Sequence, residues 1–245
     1  MSEINYPQAK TVAGRIAIGV GGAALVVIGS LSNEGTGLIC AALFVVILLL
    51  GWSRLLRLPH PNAARLVMAL VALVALGVAN WGTPTLMAFV LGLSAAATFM
   101  AEMLRRDGRQ QLLKQAAGTF TGCLLMVTTA LWIFVWRTEL GRGEALVFGV
   151  VIAAVALVES IEARTSHALA FVNGIVAGLL VAWVLSVQLW AGLAIGVCTP
   201  LCYVLIGRAT QEVSQPLAPI SGATRNLIPH CMLGVVAYVL SLVLV

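Results

Sequence analysis

Long apolar runs alternate with short polar segments along the whole chain. Most runs approach the roughly 20 residues that a helix needs to cross the hydrocarbon core of a bilayer. The runs lack the period-two alternation of membrane strands, so the pattern predicts helices. Nine spans are predicted: Arg15–Ser32, Gly37–Ser53, Ala64–Asn80, Thr83–Met103, Ala116–Trp136, Ala145–Ser160, His167–Ser186, Trp190–Gly207 and Leu227–Val245. A short pair of these spans could instead be re-entrant.

Composition supports the same fold class. Of 245 residues, 61% are hydrophobic and 9% are charged, whereas a soluble domain has about 25% charged residues. A water-soluble chain would need more polar surface to cover its core. We therefore expect an all-α, polytopic transmembrane bundle that forms one integral membrane domain over residues 1–245, with a short polar cytoplasmic tail over residues 1–14.

The positions of the cations predict the orientation. In the nine-span arrangement one side of the membrane carries 12 of the 14 Lys and Arg residues, and the other carries only Arg137 and Arg142. The larger set comprises Lys10, Arg15, Arg54, Arg57, Arg65, Arg105, Arg106, Arg109, Lys114, Arg164, Arg208 and Arg225. Because cytoplasmic loops are enriched in Lys and Arg, we expect a cytoplasmic N-terminus, an outer C-terminus and a multi-pass location in the plasma (inner) membrane.

Four tryptophans fall near predicted span ends, and small residues recur within the spans. Trp81, Trp136 and Trp190 lie near outer boundaries and Trp52 near an inner one, which is typical of an interfacial aromatic belt. Two glycine pairs, Gly174/Gly178 and Gly192/Gly196, have the spacing that lets helix backbones approach closely. We expect the glycines to pack helices within one molecule; self-association is the alternative.

The inner end of the sixth span carries the first candidate site. Glu159 and Glu162 are three residues apart, so a helix would place both carboxylates on one face. Arg164 and His167 follow directly. Two carboxylates at membrane depth could bind a divalent cation or relay protons. The alternative is that they lie at the interface and pair with Arg164 and Arg208.

A second candidate is the segment Arg208–His230, which the pattern predicts to be a cytoplasmic loop. It carries Glu212 and Arg225 among Ser, Thr and Gly residues. Such loops can hold an anionic head group or a phosphate, although a plain connector is the alternative. If the flanking helices pack together, both clusters would face one shallow inward cavity. No catalytic residue, metal site or cofactor is predicted.

Arg15-Ile16 precedes the first span, and Gly51-Trp52-Ser53-Arg54 stands at the end of the second. Glu159 lies at the end of a middle helix, and a Gly-rich stretch from Gly174 to Gly178 follows it. The order of these features resembles the phosphatidate cytidylyltransferases, polytopic enzymes that join CTP and phosphatidic acid into CDP-diacylglycerol.

The family's signature would fall on Arg208 to Val239, where this chain departs from it. Pro229-His230-Cys231 replaces the motif P-G-H, and ungapped counting puts Val236 and Val239 where the family has metal-binding aspartates. Those aspartates would hold the ions that neutralise the nucleotide phosphates. The resemblance therefore implies a non-catalytic or altered protein, linked to phospholipid or cell-envelope lipid metabolism.

Two functions of other classes stay open: a small permease-like transporter and a structural subunit of a membrane complex. Glu159 and Glu162 would be coupling groups in the first, and the small residues would suit the second. In each case we expect membrane lipids as partners, with other membrane proteins or a second copy as alternatives. The short, scattered basic segments do not fit a nucleic-acid interface.

Overall fold

A computed structural model describes residues 12–31, 34–105, 111–160, 166–211 and 219–243 of the chain. All regular structure within these ranges is helical. The helices are α1 (Val12–Leu31), α2 (Glu34–Leu55), α3 (Pro61–Trp81), α4 (Pro84–Met103), α5 (Leu112–Trp136), α6 (Glu139–Glu159), α7 (Ser166–Val184), α8 (Leu189–Gln211) and α9 (Pro219–Val243).

Each of the nine described helices is long and apolar enough to cross a membrane. They contain 19 to 25 residues, close to the roughly 20 needed for a bilayer core. Pro61 and Pro84 occupy the first turns of α3 and α4, where a missing amide hydrogen costs nothing. The predicted all-helical architecture is confirmed, and the composition of the helices indicates a membrane-embedded protein.

Contacts between helix termini divide the bundle into two ends. At the end where α1 begins, here named the proximal end, Arg15 donates to the carbonyl of Ser160 at the end of α6 over 2.9 Å. At the distal end, Arg137 after α5 donates to the carbonyl of Ala79 near the end of α3 over 3.1 Å. These contacts place the start of α1 beside the end of α6 and the end of α3 beside the end of α5, as in a bundle whose successive helices alternate in direction.

The cations of the described residues follow this division. Eight of them belong to helix termini or loops at the proximal end: Arg15, Arg54, Arg57, Arg65, Arg105, Lys114, Arg208 and Arg225. Only Arg137 and Arg142 lie at the distal end. The separation of charge that the sequence predicts is thus present in the fold.

Helix α5 is the centre of the bundle. It is buried along most of its length and packs against α2, α3, α4 and α9. Two tryptophans form hydrogen bonds at these contacts. Trp52 of α2 donates to the carbonyl of Gly118 in α5 over 2.8 Å. Trp132 likewise donates to the carbonyl of His230 in α9 over 3.0 Å. By contrast, α4 and α7 expose most of their apolar side chains, as expected for helices that face lipid.

The two glycine pairs of α7 and α8 face each other. A Cβ atom added to Gly174 would lie 2.8 Å from the carbonyl oxygen of Gly196, and one added to Gly192 would lie 2.5 Å from that of Gly178. Real Cβ atoms do not come so close to backbone oxygens. Pro200 lies one turn after Gly196 and has no amide hydrogen, so it cannot donate the usual helical hydrogen bond to the carbonyl of Gly196. The expected packing within one molecule is confirmed.

The predicted loop Arg208–His230 is wrong for most of its length. Helix α8 continues to Gln211, and α9 begins at Pro219, eight residues before the predicted start at Leu227. In this first stretch of α9, the polar side chain of Thr224 is hydrogen-bonded within the bundle. Its hydroxyl donates to the carbonyls of Ile220 and Ile47. The polar residues that the sequence pattern assigned to a connector therefore form the first turns of a membrane helix.

The expectation of an aromatic belt is also partly wrong. Trp81 and Trp190 are exposed at the distal end, as a belt requires. Trp52 and Trp136 are instead buried inside the bundle, with only 5% and 4% of their surfaces exposed. Trp136 packs its ring against Gly29 and Gly37, whose missing side chains leave room for it. These two tryptophans therefore contribute to the core.

Candidate functional site

A cavity with a volume of about 670 Å³ lies at the proximal end, among α1, α6, α7, α8 and α9. This volume lies within the range of about 300–1,000 Å³ that is typical of small-ligand sites. Its lining is unusually polar for a chain in which 61% of the residues are hydrophobic. The polar groups come from Arg15, Glu159, Ser160, Ser166, His167, Tyr203, Thr210, Arg225 and Asn226.

One wall of the cavity carries a carboxylate–histidine pair. Glu159 is the last residue of α6 and His167 the second of α7, so the connection between these helices brings them together. The Nδ1 atom of His167 lies 2.8 Å from the Oε1 atom of Glu159. The carboxylate oxygen accepts, which fixes the orientation of the imidazole ring.

Two arginines reach the cavity from different helices. Arg15 comes from the first turn of α1, where its bond to Ser160 anchors one edge of the guanidinium. Arg225 comes from α9, two turns after its start at Pro219. A guanidinium offers five N–H donors in a planar fork that matches carboxylate and phosphate oxygens. Two such forks around one cavity make it suited to an anion.

A buried hydrogen-bond network lies beneath the cavity. His230 is fully buried in α9, and its Nε2 atom lies 2.9 Å from the carbonyl oxygen of Gly19 in α1. The hydroxyl of Tyr203 in α8, a residue that lines the cavity, lies 3.1 Å from each of the two nitrogens of the same ring. Gly22 has no side chain where a Cβ would come within 2.6 Å of the imidazole. His230 thus joins three of the five helices around the cavity.

The structure brings together part of the predicted site. Glu159, His167 and Arg225 line the cavity, and His230 lies beneath it rather than in a loop. Arg208 is exposed and does not belong to the lining, and the partner of Glu159 is His167 instead of Arg208. The other three predicted residues, Glu162, Arg164 and Glu212, lie outside the described residues.

Sequence reasoning missed Arg15, Tyr203 and Asn226 as cavity residues. Arg15 counted only toward orientation, because it stands at the start of a span and far from the other groups in sequence. Tyr203 lies within an apolar run, so it was not considered as a site residue. It could have been identified, because it is one of only three tyrosines in the chain and a phenol in a membrane helix needs a hydrogen-bond partner.

The described donor groups of the cavity are suited to an oxyanion. Among the described residues, no three His, Cys, Asp or Glu side chains come close enough to hold a metal. The described residues of the lining include one carboxylate and two guanidinium groups, with hydroxyls from Ser160, Ser166 and Thr210 beside them. Hydroxyl and N–H donors around two positive charges can bind an oxyanion.

Comparisons with known proteins add no relative to this description. No family model matches the chain. No curated protein and no solved structure is similar to it. The resemblance to the phosphatidate cytidylyltransferases therefore remains a prediction from the sequence.

Proposed function

We propose that the protein binds the anionic head group of a membrane lipid in the proximal cavity, at the cytoplasmic face of the inner membrane. The observation that carries this proposal is the convergence of Arg15 and Arg225 on one cavity of lipid-head-group size at a bundle end. The two guanidinium groups hold the phosphate, and the hydroxyls around them donate hydrogen bonds to its remaining oxygens.

Electrostatics favours an anion over a cation at this position. Among the described residues that line the cavity, Arg15 and Arg225 each contribute one positive charge, and Glu159 contributes one negative charge. The surrounding helices lower the local dielectric constant, so each charge acts more strongly than in water. The excess of Lys and Arg at the proximal end supports a cytoplasmic position, because anionic lipids attract such clusters.

We propose binding without cytidylyl transfer. Ungapped counting from Pro229 assigns the family's metal-binding aspartates to Val236 and Val239, and Val239 is half exposed on the outside of α9. Aliphatic side chains cannot hold the divalent ions that phosphoryl-type chemistry needs. A link to phospholipid or cell-envelope lipid metabolism then means recognition or handling of a lipid rather than its synthesis.

A permease-like transporter is the second candidate, and Glu144 is the observation that favours it. This glutamate of α6 is 2% exposed, and its Oε2 atom has no hydrogen-bond partner among the described residues. Ionisable groups inside membrane helices often mark ion or proton pathways. Solute flux in proteoliposomes separates the two candidates, because head-group binding alone gives no flux.

Removing one cavity arginine should weaken binding of an anionic lipid. The measurement is the affinity of the protein, in nanodiscs of neutral phosphatidylcholine, for added phosphatidylglycerol, with inorganic phosphate as a second titrant. We expect Arg225→Gln to lower the affinity for the lipid by about tenfold or more, the cost of a lost charge-assisted hydrogen bond. Inorganic phosphate that competes only weakly would identify the lipid, not free phosphate, as the source of the anion.

The matched control is Arg208→Gln, which removes the same charge at the same end but outside the cavity. We expect it to leave the affinity within about twofold, because exposed charges contribute little. Equal losses in the two variants would mean that general surface charge, and not the cavity, attracts the lipid. Unchanged affinity in Arg225→Gln would contradict the proposal.

A further inference from the structure

Four of the helices around the cavity meet in one layer at its base. The Nε2 atom of His230 in α9 lies 2.9 Å from the carbonyl oxygen of Gly19 in α1, and the hydroxyl of Tyr203 in α8 lies 3.1 Å from each ring nitrogen. A Cβ atom added to Gly19 would lie 2.8 Å from the Cβ atom of Ala156 in α6. These contacts place the four residues at the same depth in the bundle.

A second layer lies one helical turn closer to the proximal end. Residues four apart in a helix lie above one another, and four residues span about 6 Å along the axis. In α1 this step leads from Gly19 to Arg15, and in α6 it leads from Ala156 to Ser160. The hydrogen bond of 2.9 Å from Arg15 to the carbonyl of Ser160 confirms that the two residues are level.

The same step along α8 and α9 completes the second layer. In α9 it leads from His230 to Asn226, which follows Arg225, and in α8 it leads from Tyr203 to Gly207. Arg225, Asn226 and Gly207 all line the cavity. At the level of the two arginines, therefore, α8 contributes backbone and no side chain to the wall.

Gly207 differs from the other glycine of the cavity wall, Gly19. Packing explains Gly19, because a side chain there would collide with Ala156. A Cβ atom at Gly207 would meet no atom within 4 Å, so no packing contact of the described residues explains this glycine. Glycine also destabilises a helix interior relative to alanine. The missing side chain at Gly207 therefore serves the space of the cavity.

A side chain at position 207 would extend into the cavity. Tyr203, Gly207 and Thr210 follow the spacing of one helix face, and all three line the cavity, whereas Leu205 and Arg208 are exposed and do not. The described parts of α1 and α8 do not touch each other. The space over Gly207 is thus part of the volume that faces the arginines.

We propose that Gly207 is a specificity-determining residue of the cavity: the head group of the bound lipid lies over its bare backbone while the arginines hold the phosphate. This inference rests on the proposed function and adds the residue that limits the size of the head group. A cavity of about 670 Å³ is much larger than a phosphate group. The remaining space accommodates the alcohol substituent of a phosphodiester, within reach of the Thr210 hydroxyl one turn nearer the proximal end.

The test is a series of side chains of increasing size at this position. Phosphatidylglycerol is titrated into the full-length wild type, Gly207→Ala and Gly207→Leu in phosphatidylcholine nanodiscs. We expect the affinity to fall about two- to threefold in Gly207→Ala and about tenfold or more in Gly207→Leu, because the added carbons fill the space of the head group. Yield and elution position should match the wild type, since a Cβ atom meets no neighbour there. Unchanged affinity in Gly207→Leu would overturn the inference.

The matched control is Gly21→Leu. Gly21 is exposed on α1 outside the cavity, and a Cβ atom there also meets no atom within 4 Å. We expect this variant to keep its affinity within about twofold, as substitutions away from a site do.

Inorganic phosphate is the second titrant, because it has no alcohol substituent. Gly207→Ala should leave the affinity for phosphate within about twofold, since the two guanidinium groups still bind it. Equal losses for phosphate and for the lipid would mean that the alanine disturbs the arginines, and would contradict the placement of the head group over Gly207.

Failure of this inference is distinguishable from failure of the proposed function. If Arg225→Gln weakens binding of phosphatidylglycerol and Gly207→Leu does not, the cavity binds the phosphate but the head group lies elsewhere. If neither substitution changes the affinity, head-group binding in this cavity is itself wrong.

Discussion

Replacing Gly178 with leucine should abolish accumulation of folded protein. The backbone of α7 meets that of α8 at this position, and a Cβ atom would run into the carbonyl oxygen of Gly192. Backbone atoms cannot move aside as a flexible side chain does, so the two helices must separate. We expect a cost of about 3 kcal/mol or more, a large fraction of the stability of a typical protein. The measurement is the yield of monodisperse protein in mild detergent by size-exclusion chromatography.

Gly92→Leu is the matched control for this prediction. Gly92 lies in α4, which is mostly exposed, and a Cβ atom there meets no atom within 4 Å. The same substitution should leave yield and elution position unchanged. Normal yield for Gly178→Leu, together with loss of self-association, would assign the glycines to contacts between copies and contradict their packing within one molecule.

Reporter fusions at the two ends of the bundle should give opposite, all-or-none signals. The nine described helices alternate in direction, so α1 begins at the proximal end and α9 ends at the distal end. Because Lys and Arg are in excess at the proximal end, we expect this end to be cytoplasmic. A reporter that is active only in the cytoplasm should be active when inserted between Arg105 and Gln111, and silent when fused after Val245.

The complementary reporter, active only outside the cytoplasm, should give the reverse pattern. A strong cytoplasmic signal after Val245 would mean that one helix fails to span the membrane or that the bundle is inverted. Inversion would also move the cavity to the outer leaflet, so the same experiment tests the side from which a lipid is bound.

The spans were predictable because each depends on local physics. A helix that crosses a bilayer needs a long apolar run whatever its neighbours are. The glycines of α7 and α8 were predictable for a related reason, since only small residues let membrane helices touch. The orientation of the chain also rests on a local feature, the positions of its cations, and stays a prediction.

The cavity was less accessible to sequence reasoning because its residues are distant along the chain. Arg15 and Ser160 are hydrogen-bonded across 145 positions, and His230 contacts Gly19 across 211. Nothing local distinguishes Arg15 from the other cations that orient the chain. The start of α9 was predicted wrongly for a different reason. Ser221 and Thr224 are of residue types that are common in loops, yet they are buried inside a helix.

The central claim is that Arg15 and Arg225 hold the anionic group of a lipid within the proximal cavity. An experimental structure of the protein in nanodiscs that contain phosphatidylglycerol tests it most directly. The account predicts density for a phosphate within hydrogen-bonding distance, about 2.7–3.2 Å, of both guanidinium groups, with the acyl chains leaving the cavity between helices. A cavity without lipid density, with anionic lipids ordered instead at Arg137 and Arg142 of the distal end, would contradict it.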